Sequence, residues 1–165
     1  METVVIDNFL PDRDHKIMLD TLTDPAFEWY YSDGQAEIPQ TGRFMFNHLL
    51  WDWNTMEQGL NSPKHIWIFK ELTRLLRSTY LKRIKVNLTT RTPTHEGSGL
   101  HYDFSDMKTA IYYVNSNNGY TTFEDGTKVD SVANRAVIFD SNLKHEGWSH
   151  TCDEKIRLVA NINFR

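Results

Sequence analysis

The chain has 165 residues, the size of one domain, with room for a hydrophobic core that needs no disulfide or metal staple. Apolar residues make up 39% and charged residues 24%, ordinary globular material, and the net charge of −4 argues against a broad nucleic-acid-binding surface. Cys152 has no second cysteine to pair with, no apolar run reaches membrane-spanning length, and the N-terminus lacks a signal pattern, so the expectation is a cytosolic protein without disulfides.

Thr3 to Phe9 predicts a short edge strand. Pro11 then opens a helix, with Asp12 and Asp14 in its first turn, where carboxylates suit the positive helix end. Ile17, Met18 and Leu22 form its buried stripe, and Asp24-Pro25 stops it. From Phe27 to Trp53 the chain reads as irregular and aromatic, punctuated by Gly34, Pro39 and Gly42. Most of this stretch is expected to be a packed shell. Arg43, Trp51 and Trp53 are also candidates for the substrate side of a pocket, since aromatic and Arg-bearing loops often line pockets.

Ser62-Pro63 predicts the start of a second helix reaching to about Tyr80. Ile66, Phe69, Leu72, Leu75 and Leu76 lie on its buried face, and Lys70, Arg74 and Arg77 on its solvated one. Past residue 82 the period changes from helical to alternating. Ile84, Val86 and Leu88 share one face, while Lys85, Asn87, Thr89 and Arg91 share the other. Further strands are predicted over Lys108–Asn115, Tyr120–Phe123, Lys128–Asp130, Ala136–Phe139 and Ile156–Phe164, with turns at Asn117-Asn118-Gly119 and Asp125-Gly126. Two helices followed by about seven short strands, without βαβ alternation, predict a mainly β antiparallel sandwich or jelly roll with the helices laid on one sheet. In the first and last of these strands the non-apolar face carries Lys85, Asn87, Thr89, Arg157, Asn161 and Asn163. Central strands with such a face line a cavity, not a dry core.

His101-x-Asp103 places an imidazole and a carboxylate two residues apart, on the same side of an extended chain. One more histidine would complete two His and one carboxylate, the facial set of non-haem Fe(II) sites. His145, His150 and His95 are the candidates. His145 follows a buried strand in a turn-like stretch, and His150 reads as an exposed loop residue. Arg157 points into the polar interior and calls for an anion, either an internal carboxylate or a ligand's. Tyr113 shares a face with Thr109 and Ile111 and can add a phenol to the same anion. Tyr102 and Trp148 join the substrate-side candidates.

Taken in order, His101-x-Asp103, Ile111-Tyr112-Tyr113-Val114-Asn115, Gly119-x-Thr121-x-Phe123, Asn134-Arg135-x-Val137-x-Phe139, His145-Glu146-Gly147 and Arg157 resemble the Fe(II)- and 2-oxoglutarate-dependent oxygenases. The resemblance is to the prolyl 4-hydroxylase branch and its small bacterial and phage members, and it covers residues 83–165. It implies a double-stranded β-helix core over 83–165, supported by residues 1–82. It implies His101, Asp103 and His145 as Fe(II) ligands, and Arg157 on the distal carboxylate of 2-oxoglutarate. Tyr113 would assist there, and Asn161 would lie in the co-substrate site. The activity implied is O2-dependent hydroxylation of a peptide or protein, with release of succinate and CO2. A small-molecule substrate stays open, and ascorbate is admitted as a reductant. A carboxylate at position 103 sets the chain apart from the halogenating members. Outside the resemblance, the same three ligands would also serve a zinc-dependent hydrolase, and the β framework alone would serve a non-catalytic ligand-binding module.

Overall fold

A computed structural model describes residues 2–33, 44–54 and 59–165. In chain order its elements are β1 (Val4–Ile6), α1 (Asp12–Thr23), β2 (Tyr30–Asp33), β3 (Phe44–Asp52), a 3-10 turn (Ile66–Phe69) running into α2 (Lys70–Leu75), β4 (Leu81–Thr90), β5 (Lys108–Tyr113), β6 (Tyr120–Phe123), β7 (Lys128–Asp130), β8 (Arg135–Asp140), β9 (His145–Trp148) and β10 (Ile156–Phe164). Seven strands pair in the order β1-β8-β5-β10-β4-β3-β2, and three more in the order β7-β6-β9. Every pairing is antiparallel. The result is the expected mainly β jelly roll, with a large and a small sheet enclosing a cavity between them.

The two faces of the large sheet follow directly from alternation. In the β4–β10 register Leu158 sits opposite Leu88, Ala160 opposite Val86 and Ile162 opposite Ile84. These side chains pack with Ala110, Tyr112 and Ala136 against Leu10, Met18 and Leu22 of the α1 region and Ile68, Phe69 and Leu72 of the second helical segment. The helices therefore cover the apolar face, as period-2 patterning requires. On the other face Thr89 sits opposite Arg157, Asn87 opposite Val159, Lys85 opposite Asn161 and Arg83 opposite Asn163. A smaller apolar cluster of Ile111, Tyr113, Phe123, Val129, Val137, Phe139 and Val159 joins the two sheets at the end of this interior.

Tyr112, facing the helices, shows how α1 is fastened. Its hydroxyl donates to Asn134 Oδ1 at 2.9 Å and sits 2.7 Å from His15 Nδ1 of α1. Asn134 also exchanges two hydrogen bonds with the Leu10 backbone, both at 2.8 Å. It holds φ at 62°, a conformation that asparagine tolerates better than most residues.

Three expectations are corrected. The stretch read as irregular contains the strand pair β2–β3, with nine residues in β3. Both faces of β3 carry apolar residues because it is covered on one side and lines the cavity on the other, which hides the period-2 signal. The second helix is short: a 3-10 turn gives way to only six α-helical residues. Ser62 makes no side-chain cap there; its carbonyl accepts from the His65 and Ile66 N–H groups. His150, read as exposed, is fully buried. The loop features Gly34, Pro39, Gly42 and Arg43 lie outside the described residues.

Ile162 belongs to the helix-facing apolar face and is fully buried. Ile162→Ala is expected to lower unfolding free energy by about 2–5 kcal/mol, read from denaturant unfolding. A loss well under about 1 kcal/mol would contradict the packing described.

Candidate active site

His101 and His145 face each other across an antiparallel bridge. The His101 N–H donates to the His145 carbonyl at 3.0 Å, and the His145 N–H returns a bond of 2.8 Å. Directly opposed residues project to the same side, and the two imidazole centres lie 4.6 Å apart. Asp103, two residues on from His101, joins them because its N–H bonds to the Ser141 carbonyl at 3.2 Å and keeps the segment extended. One ligand atom from each of His101, Asp103 and His145 lies within 4.8 Å of the others.

The imidazoles are set for ligation. His101 Nδ1 lies 2.8 Å from the Gly99 carbonyl, and His145 Nδ1 lies 3.3 Å from the Leu143 carbonyl. A carbonyl only accepts, so each Nδ1 carries the proton and each Nε2 offers a lone pair. Burial lowers the His145 pKa against the opposing pull of Asp103. Phe139 and Phe123 pack on its ring and supply that apolar surround.

Asp103 is gripped from three directions. Arg83 Nη2 donates to Oδ1 at 3.1 Å, while Thr109 Oγ1 and Asn163 Nδ2 donate to Oδ2 at 3.0 and 2.9 Å. Burial raises its pKa, but the Arg83 and His145 charges and these donors outweigh that and leave it below the ordinary value. A buried carboxylate beside two imidazoles is a set of oxygen and nitrogen donors suited to a divalent metal.

These residues open into a cavity of about 290 Å³. Arg157 lines it and is 5% exposed. Its Nε donates to Ser131 Oγ at 3.0 Å, and its guanidinium lies 5.8 Å from the centre of the Tyr113 ring. No carboxylate pairs with it among the described residues, and Nη2 has no hydrogen-bond partner at all. Burial lowers its pKa. Asn87 Oδ1, Thr89 Oγ1 and Asn161 Oδ1 are likewise buried and unpartnered, and all three residues line the same cavity. Each such group costs about 1–3 kcal/mol if left unmet. Their concentration in one cavity marks a place for a polar ligand, and the guanidinium favours an anionic group on it.

Tyr113 sits beside Arg157, but its hydroxyl donates to Thr121 Oγ1 at 2.8 Å. Thr121 lines the cavity, so its own hydroxyl hydrogen is the one turned toward a ligand. Gly119 explains how Arg157 fits. A methyl group there would lie 2.8 Å from Arg157 Cδ and 2.9 Å from the Trp148 carbonyl, so only glycine leaves room for the arginine stem.

The other candidates divide cleanly. Tyr102 and Trp148 line the cavity. Trp51 donates its indole N–H to the Leu81 carbonyl at 2.9 Å, and Trp53 packs on Tyr80; both serve the scaffold. His150 is held by the Glu154 carbonyl at 2.9 Å, and His95 by the Ser149 carbonyl at 2.7 Å. The grip of Arg83, Thr109 and Asn163 on Asp103 was missed from the sequence. The alternating pattern put Asn163 on the interior face, yet nothing local linked it to Asp103, sixty residues away.

The sequence matches no protein-family model and no curated protein. Its fold is that of solved 2-oxoglutarate–Fe(II) oxygenases, prolyl hydroxylases among them. An oxidoreductase of the 2-oxoglutarate–Fe(II) oxygenase family from Burkholderia pseudomallei superposes with a TM-score of 0.70 at 10% identity, over 98% of this chain and 84% of that one. A Trichoplax adhaerens prolyl hydroxylase, solved with a peptide of hypoxia inducible factor, gives 0.65 at 16% identity, over 98% and 83%. A Pseudomonas putida prolyl-4-hydroxylase gives 0.56 at 18% identity, over 99% and 91%.

His15, His48, His145 and His150 all have pKa values lowered mainly by burial. Their stabilising contribution is complete above the unfolded value of about 6.5 and is lost as pH falls through the folded values. Metal-free protein is expected to unfold at lower denaturant at pH 5.5 than at pH 7.5. Equal midpoints would contradict the burial of these imidazoles.

Proposed function

We propose that this protein is an Fe(II)- and 2-oxoglutarate-dependent dioxygenase that hydroxylates a C–H bond, prolyl 4-hydroxylase-like on a peptide or protein. One observation carries the reading. A buried guanidinium without an acidic partner faces the same cavity as the His101, Asp103 and His145 cluster. Two such sites in one cavity suit a ligand with an anionic tail and a metal-chelating head, which is the chemistry of a 2-oxo dicarboxylic acid.

In this reading His101, Asp103 and His145 hold the metal. Arg157 takes the distal carboxylate through its unpartnered Nη2. Thr121, oriented by Tyr113, donates a second hydrogen bond, and Asn161, whose Oδ1 is unpartnered, lines the space for the body of the co-substrate. When bound, the metal and 2-oxoglutarate would supply the means to activate O2, one oxygen atom going to the hydroxylated carbon and the other to the succinate formed with CO2. The protein's own work is positional. Arg83, Thr109 and Asn163 keep Asp103 ionised and aimed, and the neighbouring carbonyls hold each Nδ1–H so that Nε2 is the nitrogen left for ligation. Apolar packing of Phe123 and Phe139 against His145 keeps water from that flank. A zinc-dependent hydrolase using the same three ligands would leave the buried Arg157 without a purpose.

The peptide reading is supported by likeness to the Trichoplax adhaerens enzyme, solved with a peptide, and by Tyr102, 57% exposed beside the cavity. Trp148, stacked on Tyr120 with centres 5.5 Å apart, provides a second flat surface against which a proline ring can pack.

Asp103→Ala is expected to abolish substrate-dependent succinate production from 2-oxoglutarate in a screen of proline peptides; unchanged turnover would sink the assignment. Arg157→Met is expected to raise the 2-oxoglutarate concentration needed for half-maximal turnover at least about tenfold, a loss of one charge-assisted bond. An unchanged requirement would remove Arg157 from the co-substrate site.

A further inference from the structure

The cavity wall carries three cationic side chains, Arg83, Lys85 and Arg157, against one acidic side chain, Asp103. Arg83 is committed to Asp103. On the dioxygenase reading, on which this inference rests, Arg157 takes one carboxylate of 2-oxoglutarate and the metal takes the other end. Lys85 is then a cation with no anion. Among the described residues it has no hydrogen bond and no ion pair within 4.0 Å. Its cross-strand neighbours are Leu49 on β3 and Asn161 on β10, neither of them acidic. Burial pushes its pKa down and the Arg83 charge adds to that, against a smaller opposing pull from Asp103, so holding its proton costs free energy that a bound anion would offset.

The position decides what kind of anion. Along the β4–β10 register Lys85 and Asn161 lie one row from Arg83 and Asn163, which grip Asp103. Arg157 and Thr89 lie two rows further on. Lys85 thus lies on the cavity wall beside the metal-binding end, where the carbon to be oxidised must approach. We propose that Lys85 anchors a carboxylate on the primary substrate, so that the enzyme selects an acid: either an acidic residue close to the oxidised one in a peptide, or the free carboxylate of an amino acid. A neutral proline peptide would leave Lys85 unpaired and is a poor substrate.

The test uses protein loaded with Zn(II) and N-oxalylglycine, an unreactive mimic of 2-oxoglutarate, titrated with propionate and with propionamide and followed by NMR. The wild type is expected to bind propionate at least about tenfold more tightly than propionamide. Lys85→Gln is expected to bind the two alike while its N-oxalylglycine affinity stays within about twofold of wild type. Lys85→Arg, which keeps the charge, is expected to retain the preference, and this guards against a Gln variant that fails to fold. Two matched pairs identify the source of the carboxylate: L-proline with L-prolinamide, and N-acetyl-Glu-Pro-Gly-amide with its Gln counterpart. Preference for the acid in either pair supports the proposal. No preference between propionate and propionamide in the wild type overturns it. A tenfold loss of N-oxalylglycine affinity in Lys85→Gln also overturns it, by giving the lysine to the co-substrate. Failure of N-oxalylglycine to bind the wild type overturns the dioxygenase reading itself and is seen before the pairs are compared.

Discussion

A guanidinium buried without a counter-ion is the constraint on which the rest of this molecule turns. Removing such a charge from water costs several kcal/mol, and an internal carboxylate is the usual remedy. Among the described residues Arg157 has the Ser131 hydroxyl and the face of Tyr113 and no carboxylate. Its placement also limits its neighbours: residue 119 must lack a side chain for the arginine stem to pass. A fold that accepts these costs without supplying an acid has left the anion to a ligand.

The opposite end of the cavity obeys the complementary rule. There a carboxylate is buried, and it is compensated by Arg83, Thr109 and Asn163 together. Those donors hold Asp103 in the ionised form that a metal requires and fix the direction of its oxygens. Two imidazoles locked by backbone carbonyls complete the donor set. Both ends are built on β4 and β10, whose inward faces run from Arg83 and Asn163 to Thr89 and Arg157. Their outward faces form the core under the helices. The same alternation therefore stabilises the sheet on one side and spaces the anion site from the metal site on the other.

Much of this was legible in the chain. The period-2 pattern of residues 83–91 and 156–164 identified a covered face and a cavity face, and His101-x-Asp103 pointed to two members of the cluster that could hold a metal ion. The structure brings Arg157 into the same cavity, where its lack of an acidic partner becomes visible. What stayed hidden was long-range. Local pattern favoured His145 by reading His150 as exposed, yet both are buried. The difference lies in a bridge that seats His145 opposite His101 and in a carbonyl that holds His150 elsewhere. Tyr113 lay on the right face, but its hydroxyl turns to Thr121, a partner that only strand pairing could disclose. β3 was missed because apolar residues on both its covered face and its cavity face hide the alternation that reveals its neighbours.

Anaerobic calorimetric titration of the Fe(II)-loaded protein with 2-oxoglutarate examines both ends of the cavity at once. One equivalent should bind, and the affinity should collapse when the metal is removed, because the ligand spans the His101, Asp103 and His145 cluster and Arg157. No heat of binding, or an affinity indifferent to the metal, would contradict a shared site for metal and co-substrate.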